Sequence, residues 1–259
     1  MVIQYDDEKT RAIEANYLGH DVTAQRAETL ARLAIKPDEH VLDIGAGPGF
    51  LAAEMADLTG PGGRVLGVDI SDAMVRRAAE RNDRPWLTYA KGDATDLPAE
   101  DESFDVAVST QVAEYMTDLR PFCAELARVL KPGGRALILT TDWDSVAWYS
   151  EDPDRMACVM RAQNTSVAQS NVPRILAPHL RGAGLTISQV SCFQIINLDR
   201  SPGNYSAGTV NFVSGYLREQ GTIPEDVLTE WAAEQDTLDA KGSYFFSIGR
   251  YIFEASKPG

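Results

Sequence analysis

The sequence predicts an α/β fold: a doubly wound, seven-stranded, mostly parallel sheet with helical lid insertions. Three observations predict it. From residue 41 to residue 198, short apolar runs alternate with segments of helical periodicity, the pattern of parallel strands joined by right-handed helical crossovers. A glycine-rich turn, Gly45-Ala46-Gly47-Pro48-Gly49, separates the first strand from the helix that follows. An aspartate, Asp69, closes the second strand 20 residues after Gly49.

Taken in order, residues 6 to 34 read as helical, with Ala12, Ile13, Ala15 and Leu18, then Val22, Ala27, Leu30 and Leu33, recurring at three- and four-residue steps. "VLDIG" from residue 41 is the first strand, and "FLAAEMADLTG" is a helix stopped by Gly60 and the Pro-Gly-Gly after it. "RVLGVDI" is the second strand, and Ser71 caps the helix "DAMVRRAAERN". "WLTYAKGDA" and "FDVAVST" are the third and fourth strands. "LRPFCAELARVLKPGG" is a helix, and "RALILTTDW" the fifth strand. The alternation is then interrupted by an inserted helix over 151 to 168, before "PRILAPHLRGAGL" resumes the crossover. "TISQVSCFQIINL" and "SYFFSIGRYIFEAS" are the sixth and seventh strands. The segment between them is far longer than a hairpin loop and reads as two helices split at Gly221-Thr222-Ile223-Pro224. The expectation is one domain over 1–259. Lid helices fill 1–35, a cofactor-binding core 36–142, and lid insertions 143–170 and 198–242.

Composition narrows the function. With 44% hydrophobic and 24% charged residues the chain has the make-up of an ordinary globular protein. A net charge of −14 argues against a phosphate backbone or an anionic membrane surface as partner. The three cysteines, Cys123, Cys158 and Cys192, are far apart and form no C-x-x-C pair, so no metal site is expected. The first residues carry no signal-peptide pattern and no apolar run is long enough to span a bilayer. A cytoplasmic location is expected. The expected partner is a small-molecule substrate, with no nucleic acid, no membrane insertion, and a homodimer left open.

Glycines between a strand and a helix allow positive φ and let a ligand touch the backbone. A carboxylate at the end of the second strand is placed to accept hydrogen bonds from both hydroxyls of a ribose. A dinucleotide fingerprint would carry a third glycine where this chain has Phe50. The spacing "DIGAGPG" is G-x-G-x-G instead, which argues against a nicotinamide-dependent dehydrogenase. Together with "VLGVDIS", "KGDATDLP", "FDVAVSTQVAEYMTDL" and "VLKPGGRALI", it resembles the motifs of class I S-adenosylmethionine-dependent methyltransferases. The likeness is to the small-molecule group related to the ubiquinone/menaquinone biosynthesis C-methyltransferases and covers roughly residues 40 to 142 closely. It implies strand order 3-2-1-4-5-7-6 with strand 7 antiparallel, and S-adenosylmethionine as cofactor. By the same resemblance Gly45, Ala46 and Gly47 approach the methionine part of the cofactor, and Asp69 holds its ribose. Ile70 and Met74 flank the adenine, Asp93 and Ala94 meet its amino group, and Thr110 and Gln111 line the sulfonium.

The rest of the site is read from chemistry. Methyl transfer from a sulfonium is an in-line displacement with an activated donor, so alignment and exclusion of water dominate. A general base is needed only where the acceptor loses a proton. His20, in "NYLGHD" of the N-terminal lid segment, is the first candidate, because imidazole titrates near neutrality. Asp142, at the end of strand five, is the second. Tyr17, Glu114, Tyr115, Trp143 and Trp148 are the expected acceptor-lining residues. The expected function is methyl transfer to carbon, oxygen or nitrogen of a small hydrophobic or aromatic metabolite. The alternatives are a repurposed or non-catalytic cofactor-binding protein, cyclase-type relatives included, and an arsenite methyltransferase.

Overall fold

In the computed structural model of the chain, which describes Glu14 and residues 16–259, the alternation becomes a single eight-stranded sheet. Helix α1 (His20–Leu33) is followed by β1 (His40–Ile44), α2 (Phe50–Thr59), β2 (Arg64–Asp69), α3 (Asp72–Arg81) and β3 (Leu87–Lys91). Next come β4 (Phe104–Thr110), α4 (Leu119–Val129), β5 (Leu130–Thr141), β6 (Ala147–Trp148), α5 (Pro153–Gln163) and α6 (Val172–Gly182). The chain closes with β7 (Thr186–Asn197), α7 (Tyr205–Gln220), α8 (Glu225–Ala240) and β8 (Phe246–Ser256). Val41, Leu42 and Ile44 are all buried, so β1 hides both faces, as a central parallel strand between two helical layers must.

The strand order is β3-β2-β1-β4-β5-β8-β6, with β7 paired to β8. Strands β1 to β5 are mutually parallel, and β8 runs antiparallel to β5, β6 and β7. The expected order is therefore met by the seven long strands, with the last strand inserted between the fifth and sixth. The eighth is the two-residue β6, which the sequence hides inside a loop. After Thr141 the chain leaves β8 for a short 3₁₀ turn at Trp143–Ser145, then returns so that Ala147 pairs with Ser247 and Trp148 with Phe246. Ring packing explains the return: the Trp148 centroid lies 4.8 Å from Phe246 and 5.2 Å from Trp231, both near edge-on.

Two boundaries differ from expectation. Helix α4 stops at Val129, ahead of the Pro-Gly-Gly, because Leu130 already pairs with Phe104. The register then shifts so that Arg135 faces Val106, and Lys131 is held at 2.8 Å by Asp105. At the other end, Ala12, Ile13 and Ala15 of the expected helix lie outside the described residues. The helix is interrupted at Leu18 and Gly19, Leu18 and Ala27 are exposed, and α1 buries Gln25, Arg26, Thr29 and Leu33. Polar groups can occupy that face because they are matched: Arg26 donates to Glu54 at 2.8 Å and to the Tyr17 carbonyl at 3.0 Å. No helix among the described residues is long and apolar enough to cross a membrane.

The core has three parts. One cluster on each face of the sheet packs α4 and α6 on one side and α1 and α2 on the other. The third lies between α5, α7, α8 and the start of β8, around fully buried Trp231, with Val213, Leu217, Leu228 and Phe246. Asn204 and Pro224 precede the two helices of this insertion, and Gly221, with φ 60°, ends the first. Replacing Trp231 by Ala is expected to cost about 3–5 kcal/mol of stability in a denaturant titration, since no described residue can fill so large a volume.

Candidate functional site

The site begins where β1 ends. Gly45, Gly47 and Gly49 have φ of 76°, 54° and 84°, a region that side chains strain. Space reinforces the requirement at two of them. A Cβ on Gly45 would strike the Val112 side chain, and one on Gly49 would lie 2.5 Å from the Tyr89 hydroxyl and 2.8 Å from Ala78 Cβ. The turn is fastened to β2: the Gly45 and Ala46 amides donate to the Val68 carbonyl at 2.7 and 3.0 Å, and the Gly47 amide donates to Asp69 Oδ2 at 2.8 Å. The Ser71 amide donates to Asp69 Oδ1 at 2.9 Å, while the Ser71 hydroxyl caps α3. Asp69 is thus fixed by two backbone amides across the ends of β1 and β2.

A second carboxyl stands close by. Asp43, in β1, is 1% exposed, and its Oδ2 meets no hydrogen-bond partner among the described residues. Burial, then the charge of Asp69, pushes the Asp43 pKa from the usual 3.8 up to about 7. Burial also raises Asp69, opposed by the amides of Ser71 and Gly47.

These groups open into a cavity of about 610 Å³, within the range of roughly 300–1,000 Å³ typical of small-molecule sites. Gly45, Gly47, Asp69, Ile70 and Met74 line it, as do Asp93, Ala94, Thr110 and Gln111. Ala46 is buried beneath the turn and does not line it. Gln111 sits at φ 59° just beyond β4, with its Oε1 taking the Thr141 hydroxyl at 2.6 Å and its Nε2 without a partner. Tyr17, Tyr115, Trp143, Tyr205 and Phe212 line it as well, with Gln25 and Arg250. Ile70, Tyr115 and Phe212 are among the large apolar residues left exposed.

Four expected site residues stand elsewhere. His20 is exposed at the start of α1, its ring beside Gly203, and lies outside the cavity lining. Asp142 is buried against Arg174, which donates to both carboxylate oxygens at 2.9 and 3.0 Å. Glu114 is 1% exposed and accepts from the Thr141 amide at the base of the sheet edge. Trp148 belongs to the third core cluster. For Asp142, Glu114 and Trp148, packing or pairing inside the protein takes the side chain that chain position alone put at the acceptor. Asp43 and Arg250 were not singled out from the sequence; Asp43 alone left a signal, an acid between the apolar Leu42 and Ile44 of β1.

Residues 42–138 match the methyltransferase domain family. A 37.1 kDa protein of transposon TN4556 from Streptomyces fradiae is 37% identical over 249 residues, 93% of this chain and 71% of that protein. The chain belongs to the class I S-adenosylmethionine-dependent methyltransferases. S-adenosylmethionine is accordingly its methyl donor. The demethylmenaquinone methyltransferase of Symbiobacterium thermophilum is 35% identical over 116 residues, 43% of this chain but only 46% of the relative. The phosphoethanolamine N-methyltransferase 2 of Haemonchus contortus, solved with S-adenosyl-L-methionine, shares the fold. Its TM-score is 0.63 at 20% identity, over 99% of this chain and 58% of that one. The methyltransferase fold accounts for the parallel order and for the antiparallel β8.

The Asp43 geometry fixes a pH dependence. A folded pKa near 7 means that the folded chain holds a proton that the unfolded chain has lost between about pH 4 and 7. Stability therefore falls as pH rises through that window and levels off above it. Asp43→Asn should remove this group's share of the slope, making the variant more stable than the wild type at pH 8 by on the order of 4 kcal/mol and close to it at pH 4. Urea titrations at the two pH values read this directly.

Proposed function

We propose that the protein transfers the methyl group of S-adenosylmethionine to carbon, oxygen or nitrogen of a small hydrophobic or aromatic metabolite held beneath the lid helices. One observation carries the reading: a single cavity is lined both by the glycine turn and Asp69 and by the aromatic side chains of Tyr17, Tyr115, Trp143, Tyr205 and Phe212.

The residues fit the cofactor. Gly45 and Gly47 give close backbone approach, Asp69 presents a fixed carboxylate to the ribose, and Ile70 and Met74 offer apolar faces to the adenine with Asp93 and Ala94 at its edge. Gln111 Nε2, on the cavity wall, is left with an unused donor among the described residues. The bound sulfonium supplies an electrophilic methyl group. Thr110 and Gln111 would border it, and the aromatic lid residues would hold the acceptor in line and exclude water.

No histidine lines the cavity among the described residues. The proposal therefore rests on alignment and does not use His20 as a base. A trivalent arsenic acceptor is disfavoured because none of Cys123, Cys158 and Cys192 lines the cavity.

Asp69→Ala should weaken S-adenosylmethionine binding by about 1.5–3 kcal/mol in calorimetry; unchanged affinity would remove this acid from the cofactor site. Release of S-adenosylhomocysteine on addition of a cell extract would separate an enzyme from a non-catalytic binder. With such an acceptor, His20→Ala should lower turnover less than tenfold, against the roughly 10²–10⁴-fold expected of a general base.

A further inference from the structure

Among the described residues Arg250 has no carboxylate paired with it. It stands in β8 opposite Thr141, the last residue of β5, at the carboxyl edge where doubly wound sheets bind ligands. It is 3% exposed and lines the cavity. Its Nη1 donates to Gln25 Oε1 on α1, its guanidinium lies 4.3 Å from the centre of the Tyr205 ring on α7, and its Nε has no acceptor.

A buried guanidinium is costly to desolvate, and a neutral amide with an aromatic face offsets only part of that cost. The carboxyl whose field it meets is Glu114, one oxygen of which is taken by the Thr141 amide while Oε2 has no hydrogen-bond partner among the described residues. That carboxyl is fully buried, and burial raises its pKa, which favours the uncharged acid. Arg250 is the one Lys, Arg or His lining the cavity among the described residues; the acids Asp69, Asp93 and Asp118 line it too. In a chain of net charge −14 it is not part of a general basic surface.

We infer that Arg250 receives a carboxylate on the methyl acceptor, so that the acceptor is an apolar or aromatic acid rather than a neutral metabolite. This rests on the reading that cofactor and acceptor share the cavity. A planar guanidinium held by Gln25 and stacked on Tyr205 is oriented in advance for a carboxylate. It would orient the acid, with the aromatic side chains around the acceptor's body. Gln25 and Tyr205 come from two different lid pieces, so a bound acid would also draw α1 and α7 together over the cavity.

Benzoate and its neutral isostere benzamide are suitable probes, titrated calorimetrically into wild type, Arg250→Gln and Arg250→Lys, with and without saturating S-adenosylhomocysteine. Wild type should prefer benzoate at least tenfold. Arg250→Gln should lose at least tenfold in benzoate affinity and the preference with it, while S-adenosylhomocysteine affinity changes less than threefold. Arg250→Lys, keeping the charge without the fork, should fall between. Equal wild-type affinity for the two probes, no benzoate binding at millimolar concentration, or a preference that survives Arg250→Gln would overturn the inference. If Arg250→Gln does not fold, the wild-type contrast and Arg250→Lys decide it. Failure of S-adenosylhomocysteine to bind would strike the cofactor reading instead, and the contrast measured without it still tests the arginine.

Discussion

A turn without room for side chains holds the site together. Between β1 and α2 the backbone takes three positive φ angles within five residues, and the Gly45 and Gly49 positions are filled from outside by Val112, Tyr89 and Ala78. Only this conformation lets the Gly47 amide reach across to Asp69 at 2.8 Å while Gly45 and Ala46 share the Val68 carbonyl. The turn thereby ties the tips of two neighbouring strands, and the same bonds fix the carboxylate that a ribose would meet. A side chain at Gly45 would displace Val112, whose neighbour Gln111 is itself held at a positive φ beside the cavity. Fold and site share one constraint here: the glycines that close the sheet edge are also those that leave it bare.

The cavity carries charge of both signs. Beside the glycine turn stand Asp69 and, buried in β1, Asp43, each raised by burial, an environment suited to a cationic ligand because positive charge relieves both acids. Arg250 lines the same cavity. The N-terminal segment is held by ion pairs to α3. Glu14 takes Arg77 at 2.6 Å and Arg81 at 2.9 Å, and its pKa is lowered chiefly by the Arg77 hydrogen bond, against the cost of burial. Asp21 accepts from the Tyr205 amide at 2.7 Å and from Asn197 at 2.9 Å, joining α1 to α7 and β7. These contacts bring Tyr17, Gln25 and Tyr205 to one side of the cavity from separate stretches of chain.

The sheet was legible because its pattern is local. Apolar runs with crossover helices determine β1 to β5, and "SYFFSIGRYIFEAS" reads as a strand whatever lies around it. Gly45, Gly47 and Asp69 were legible as neighbours on one cavity wall for the same reason, since they sit at fixed positions relative to strand ends. The residues expected around the acceptor were less so, because there the direction of a side chain depends on partners distant in the chain. Asp142 turns to Arg174, 32 residues on. Trp148 is captured by Trp231 and Phe246, and Gln25 is selected by Arg250, 225 residues away. The exposed Ala27 and buried Thr29 of α1 show the same limit: periodicity finds a helix but misses the face when polar groups are buried in pairs.

The third core cluster explains why the acceptor is the least legible part of this protein. Trp231, Leu228, Val213 and their neighbours pack against one another and against the start of β8, not against the helices flanking β1 to β4. A lid with its own core can change its inner surface without repacking the sheet, because the two volumes meet chiefly through β8 and the strand-five edge. The family match ends at residue 138, before the lid insertions begin. On the proposed reading selectivity lies with these insertions and with Arg250, which stands at their junction: its backbone belongs to the sheet, while its side chain is held by α1 and α7. A residue so placed can transmit the identity of the acceptor to both layers, because occupying it would tighten the lid against the strands that carry the cofactor site.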